Sequence, residues 1–309
     1  MVESIENLDN KSTFEEFMDS FDTIVTDCDG VLYINNDPID GVARALNSLR
    51  RYGKKVVFAT NNSTKNRLQF LQKLRKLGYE AQLNEVFPTS YASAIYLKQK
   101  NFRRSVYVLG SQGIADELNN VGIKNFGVGP DLTPDEWQPG QARFKVDKDV
   151  GAVVIGFDNQ VSFKKLAKAC SYVKRPDCLF VASNADESFP SISPDIFVPG
   201  PGLYVSAIKA GTGRDPVVLG KPGTYFFDII CSQHPTIDPS RTIMIGDRLT
   251  TDMPFGHNNG MSTLFVQSGI GTLDEMFEYG QSNVFEDQQC APHYYLPSLA
   301  ALNKYLLAH

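Results

Sequence analysis

Two carboxylates, Asp27 and Asp29, stand one residue apart in TDCDGVLY (residues 26–33), at the end of the apolar run FDTIV. Burying one carboxylate at the end of a core strand is costly unless something pairs with it, and two so close repel each other. The arrangement requires a cation, a chemical use, or both. Further polar groups follow other apolar runs: Thr60, Asn61 and Asn62 after KVVFA, Lys221 after VVLG, and Asp247 with Asp252 after TIMIG. This many carboxylates suits a hard divalent cation, and magnesium keeps open positions for a substrate phosphate because it takes few protein ligands. Lys221 adds a fixed positive charge. The backbone N–H groups and side chains of Thr60, Asn61 and Asn62 at a helix start offer neutral donors to anionic oxygens. Together these groups describe a phosphate pocket.

Within such a pocket Asp27, at the strand end, is the natural nucleophile, because an aspartate that attacks phosphorus divides hydrolysis into two easier steps through an aspartyl-phosphate. Asp29, past the strand, is placed to protonate the leaving oxygen and then to deprotonate water. Gly30 lets the chain turn sharply away from the cleft. Cys28, between the two acids, points to the opposite side of an extended chain and reads as a buried filler.

The elements that would position these groups are short apolar runs: TIVT (23–26), KVVFA (55–59), VYVL (106–109), AVVIGF (152–157), CLFVA (178–182), VVLG (217–220), TIMIG (242–246) and TLFVQ (263–267). Helical-length segments separate most of them, which predicts an α/β protein with a parallel, Rossmann-like three-layer core. In an open parallel sheet the C-terminal strand ends face one crevice, so the groups named above are expected to converge. One helix is expected after the cap candidates Ser63 and Thr64, with Leu68, Leu71, Leu74 and Leu77 as its apolar stripe and Gly78 as its stop. Another follows TIMIG, with Thr250 or Thr251 as cap and Asp252 and Pro254 in its first turn.

In this order, DCDGV, TNNST, GKP and GDRLTTD resemble the four motifs of the haloacid dehalogenase-type phosphatases. The set is similar to the branch containing 4-nitrophenylphosphatases, phosphoglycolate phosphatases and pyridoxal phosphate phosphatases, and the likeness spans nearly the whole chain. The resemblance implies Asp27 as nucleophile and Asp29 as acid/base. It implies Asp27, Asp247 and the backbone carbonyl of Asp29 as ligands of Mg2+. Thr60, Asn61, Asn62 and Lys221 would hold the transferring phosphoryl group, and Asp252 would support the metal site. It also implies an inserted α/β cap of the C2 type, giving a core over 1–103 and 215–309 with the cap at 104–214, and pairing of two copies through that cap. Small phosphorylated metabolites, phosphoglycolate among them, and 4-nitrophenyl phosphate are the expected substrates.

The inserted segment is less regular, and its Pro/Gly/Asp-rich piece GVGPDLTPDEWQPGQ reads as a loop. In SNADESFP (183–190), a stretch that faces the active site in the resembled phosphatases, Asn184 and Asp186 offer hydrogen bonds and Phe189 an apolar wall. Pro190 limits the loop's freedom.

Two other readings compete. A receiver module that stores an aspartyl-phosphate is much shorter and has no acid two residues beyond its phosphorylated aspartate; a dehalogenase needs neither that second acid nor magnesium. Asp29 discriminates against both.

The rest of the composition is restrictive. In 309 residues with a net charge of -5 there is no basic footprint for nucleic acid, and the pairs Lys54-Lys55, Arg103-Arg104 and Lys164-Lys165 read as solvated faces. No apolar run approaches the roughly 18 residues that span a bilayer, so no membrane partner is expected. Five scattered cysteines and a polar N-terminus point to reduced thiols in the cytoplasm, with the nucleus also compatible. The four histidines lack metal-ligand spacing and read as surface or capping residues.

Overall fold

The computed structural model describes residues 5–8, 11–131, 144–189 and 195–306. Much of the Pro/Gly-rich loop (132–143) and Pro190 lie outside the described residues. The chain divides into two compact units, one made of Met1–Thr60, Leu68–Phe87 and Lys221–His309, the other of Asn61–Arg67 and Pro88–Gly220.

The first unit is built on a sheet whose strands run, edge to edge, Glu6–Asn7, Tyr294–Leu296, Ser262–Val266, Thr242–Gly246, Thr23–Thr26, Lys55–Thr60 and Val86–Pro88. Pairing is parallel from Glu6–Asn7 across to Lys55–Thr60. Alternation along Leu264, Phe265 and Val266 builds a core on each face. On one face Leu264 and Val266 join Ile24, Phe58 and Ile245 against helices Lys11–Ser20, Val42–Arg51 and Arg67–Lys76; on the other Phe265 meets Met253 and Met276 of helices Asp252–Asn258 and Leu273–Gln281. The expected three-layer α/β arrangement is present. From the central strand Thr23–Thr26 the chain first builds the sheet in one direction and later, through Thr242–Gly246, in the other. The order therefore reverses between these two neighbouring strands, where open α/β sheets form their crevice.

The second unit has its own parallel sheet, ordered Val217–Val218, Leu179–Ala182, Val150–Ile155, Ser105–Leu109 and Asn125–Phe126. Tyr107, Leu109, Val153, Ile155 and Phe180 pack on Tyr172, Tyr204 and Ile208 of helices Phe163–Val173 and Gly202–Thr212. Lys165 departs from the expectation of a solvated pair with Lys164. It is fully buried and ion-paired to Asp158, which is itself 3% exposed, and its ammonium also donates to Gly129 O at 2.9 Å. The Gln160 N–H satisfies the other Asp158 oxygen at 2.8 Å. Removing one partner of a buried pair strands the other charge, at a cost of about 3–5 kcal/mol. Lys165→Met is therefore expected to lower the thermal unfolding midpoint sharply, and an unchanged midpoint would contradict this role for the pair.

The helix after KVVFAT also differs in detail. It runs Arg67–Lys76, so Ser63 and Thr64 precede it without capping it, and its buried face is Phe70, Leu71 and Leu74 while Leu68 is exposed. Phenylalanine at 70 and leucines at 71 and 74 share a face at helical spacing, which Leu68 does not join. Gly78 does end the helix, in a left-handed conformation with its N–H on Arg75 O.

Candidate active site

Asp27 and Asp247 each follow immediately on one of the two central strands, whose register pairs Thr26 with Ile245; the Asp27 N–H extends that ladder to Ile245 O at 2.8 Å. Asp252 enters from the first turn of helix Asp252–Asn258. These three carboxylates present oxygens within 4.8 Å of one another. Lys221 Nζ is 2.8 Å from Asp27 Oδ1 and 2.8 Å from Asp252 Oδ1, with 2% of its side chain exposed. The Lys221–Pro222 peptide is cis.

Charge in this cluster is unbalanced. Burial holds the Asp27 carboxyl well above the usual range; Lys221 opposes that rise, and Asp252 and Asp247 reinforce it. Burial, reinforced by Asp252, pushes Asp247 up to about 7 although the Ile270 N–H and Lys221 pull it down. Burial works against the charge of Lys221, yet Asp252 and Asp27 outweigh it and keep the ammonium above the ordinary lysine range. Three clustered acids facing one lysine, all with hard oxygen donors, fit a bound divalent cation in donor type and in the charge it would neutralise.

The local backbone explains how the acids approach so closely. Gly30 is left-handed (φ 83), and a Cβ there would overlap the carboxylate of Asp247. Its N–H donates to Tyr33 O at 2.9 Å, closing the turn that carries Asp29. Asp29 is half-buried, with the Tyr33 hydroxyl 3.5 Å from Oδ2. Cys28 is buried within the apolar core, as its alternation suggests. Thr251 takes the N-cap position of its helix without a side-chain cap bond; Asp252 Oδ2 instead accepts the Arg248 N–H at 3.0 Å, so this acid ties down its own approach.

One segment of the site escapes the sequence reading. Ser268, Gly269, Ile270 and Gly271 follow strand Ser262–Val266 and wrap Asp247: the Ile270 N–H donates to Asp247 Oδ2 and the Gly271 N–H to Asp247 O, each at 2.9 Å. Ser268 Oγ donates to Gly30 O at 2.7 Å. The available signal is QSGIG directly after an apolar strand, the same strand-end position that marks the other groups.

Thr60 is buried at the end of its strand in the first unit, whereas Asn61 and Asn62 belong to the second. Asn61 Nδ2 donates to Asp186, and Asn62 Oδ1 accepts from the Thr64 N–H and hydroxyl at 3.0 and 2.7 Å. Asn184 is 2% exposed, and its Nδ2 donates to Asn61 O at 2.6 Å. Phe189 is half-buried and meets Phe157 edge-on, with centroids 4.9 Å apart.

A family model described as Haloacid dehalogenase-like hydrolase matches residues 24–124, and a second, HAD-hydrolase-like, matches residues 218–302. The chain is 38% identical over 290 residues to the glycerol-3-phosphate phosphatase of Mus musculus, covering 91% of this chain and 89% of that protein. To phosphoglycolate phosphatase 2 of Arabidopsis thaliana it is 37% identical over 299 residues, covering 96% of each. The solved p-nitrophenyl phosphatase from Archaeoglobus fulgidus matches with a TM-score of 0.77 at 26% identity, covering 93% of this chain and 99% of that one.

Proposed function

Because the chain belongs to the haloacid dehalogenase-like hydrolases, with phosphatases as its relatives, we propose that it hydrolyses small phosphomonoesters of the size of phosphoglycolate or glycerol 3-phosphate, and 4-nitrophenyl phosphate, through an aspartyl-phosphate on Asp27. The observation that carries this reading is the grouping of Asp27, Asp247, Asp252 and Lys221 around two adjacent strand ends.

In this mechanism Lys221 holds Asp27 Oδ1 and so leaves the other carboxylate oxygen to attack phosphorus. The P–O bond to the leaving group breaks, and Asp29 supplies the proton that the departing oxygen needs. Asp29 then takes a proton from water, which attacks the same phosphorus and releases phosphate, restoring the Asp27 carboxylate. Thr60, Asn61 and Asn62 hold the phosphoryl oxygens with neutral donors, and Asp252 fixes Lys221. The side chains of Asp27 and Asp247 and the backbone carbonyl of Asp29 would hold Mg2+. When bound, the ion neutralises the crowded negative charge and polarises a phosphoryl oxygen.

The groups named so far recognise the phosphoryl moiety that all such esters share, so preference among them has to arise elsewhere. We assign it to the second unit, which contains the inserted 104–214 segment as a cap, and within it to Phe189. The free thiols of all five cysteines support a reducing, cytoplasmic setting, and a homodimer joined through the cap is the assembly that the family resemblance implies.

The test is a panel of phosphorylated metabolites and 4-nitrophenyl phosphate, assayed with magnesium. Hydrolysis of none of them would overturn the assignment. Phe189→Ala is expected to change relative kcat/KM across the panel by several-fold while metal dependence persists; an unchanged order of preference would remove Phe189 from the argument.

A further inference from the structure

The turn that follows strand Lys55–Thr60 is bonded into the second unit. Asn61 O accepts two short hydrogen bonds, from Asn184 Nδ2 at 2.6 Å and from Thr89 Oγ1 at 2.6 Å. Asn61 Nδ2 donates to both Asp186 oxygens, at 3.0 and 3.3 Å, and the Asp186 N–H donates to Asn184 Oδ1 at 3.1 Å. Farther along, Lys65 O accepts from Ser90 Oγ at 2.7 Å and the Arg67 N–H donates to the buried carboxylate of Glu117 at 2.6 Å.

Holding the carbonyl of Asn61 fixes more than that one atom. In a planar trans peptide the C=O of one residue and the N–H of the next point in opposite directions. Asn184 and Thr89 therefore also aim the Asn62 N–H, and Asp186 sets the rotation of the Asn61 side-chain amide.

We infer that Asn184, Thr89 and Asp186 are positioning residues that fix the Asn61–Asn62 turn for phosphoryl capture, so that the second unit governs how phosphate is held as well as which ester is preferred. The inference rests on the assignment of Asn61 and Asn62 to the phosphoryl group. It gives Asn184 and Asp186 a different task from contact with the remainder of the substrate. Direct contact would reorder substrate preference, whereas positioning lowers the efficiency of every ester alike and weakens inorganic phosphate itself.

The experiment uses the full chain with magnesium and compares wild type, Asp186→Ala and Asp186→Asn. Affinity for inorganic phosphate is measured by calorimetry and kcat/KM on three unrelated phosphomonoesters. Asp186→Ala is expected to reduce all three kcat/KM values by a common factor, on the order of tenfold, and to weaken phosphate by a similar factor. Asp186→Asn keeps an acceptor oxygen for Asn61 and should recover most of the loss. In an Asn61→Ala background the Asp186→Ala effect should largely disappear. Wild-type phosphate affinity in Asp186→Ala, or a reordered preference without loss of phosphate, would overturn the inference. Should Asp186→Ala fail to fold, Thr89→Val decides instead: it removes one donor to Asn61 O, and unchanged phosphate affinity would equally refute the role. A wild-type protein that binds phosphate but hydrolyses no ester would refute the proposed activity alone, since the phosphate comparison among variants still decides positioning.

Discussion

Asp27→Asn is expected to reduce hydrolysis of 4-nitrophenyl phosphate by on the order of ten-thousandfold or more, because the amide is too poor a nucleophile to form the covalent intermediate. The substitution tests chemistry more than folding. Lys221 keeps its 2.8 Å partner Asp252 when Asp27 loses its charge, so the buried ammonium is not stranded. Denaturing quench of wild type with a labelled ester should trap phosphoenzyme, and Asp27→Asn should trap none. Asp29→Asn should differ in kind: nitrophenolate leaves without a proton donor, but water is no longer deprotonated, so phosphoenzyme accumulates while turnover slows. Near-normal turnover in Asp27→Asn would place the nucleophile elsewhere and end the mechanism proposed above.

Excess chelator is expected to reduce turnover to background, with recovery on adding magnesium. Three carboxylates with oxygens within 4.8 Å of one another repel by about 3.5 kcal/mol or more per ionised pair at an effective dielectric constant of about 20. Lys221 offsets part of this for Asp27 and Asp252, and a phosphate dianion adds to the negative charge again. Lys221, even with the attraction of Arg248 for Asp247, carries too little positive charge to balance that total, whereas a divalent cation adds two charges at its centre. Full activity in excess chelator would show that the acids are balanced in another way.

Much of this site is legible because its parts are strand ends. TIVT and TIMIG are strands with the limits their apolar runs suggest, and each is followed directly by an acid. Local reading falters where burial is set by distant partners. Lys165 beside Lys164 looks like solvated charge, and only the arrival of Asp158 and Gly129 O makes its burial tolerable. Helix Thr89–Gln99 is buried without a break from Thr89 to Leu97, so no polar face betrays its period. Its first residue, Thr89, consequently goes unnoticed as a partner of Asn61 O. Ser268 and Ile270 are reached only through Gly30 and Asp247, more than twenty residues away in sequence in each case.

The bond between Asn61 and Asp186 joins residues 125 positions apart. During synthesis at about 5–20 residues per second, the Asn61 turn therefore leaves the ribosome many seconds before the residue that orients it exists. Asn184 arrives equally late, while Thr89 is made early. The nascent chain must hold an incompletely fastened turn through that interval, and closing so long a loop carries an entropic cost that is met only when the later segment docks. Strand Thr23–Thr26 waits longer still for its neighbour Thr242–Gly246. Competence of this enzyme thus waits until the segment from Asn184 through Asp252 has been made and has docked on the earlier strands and turn.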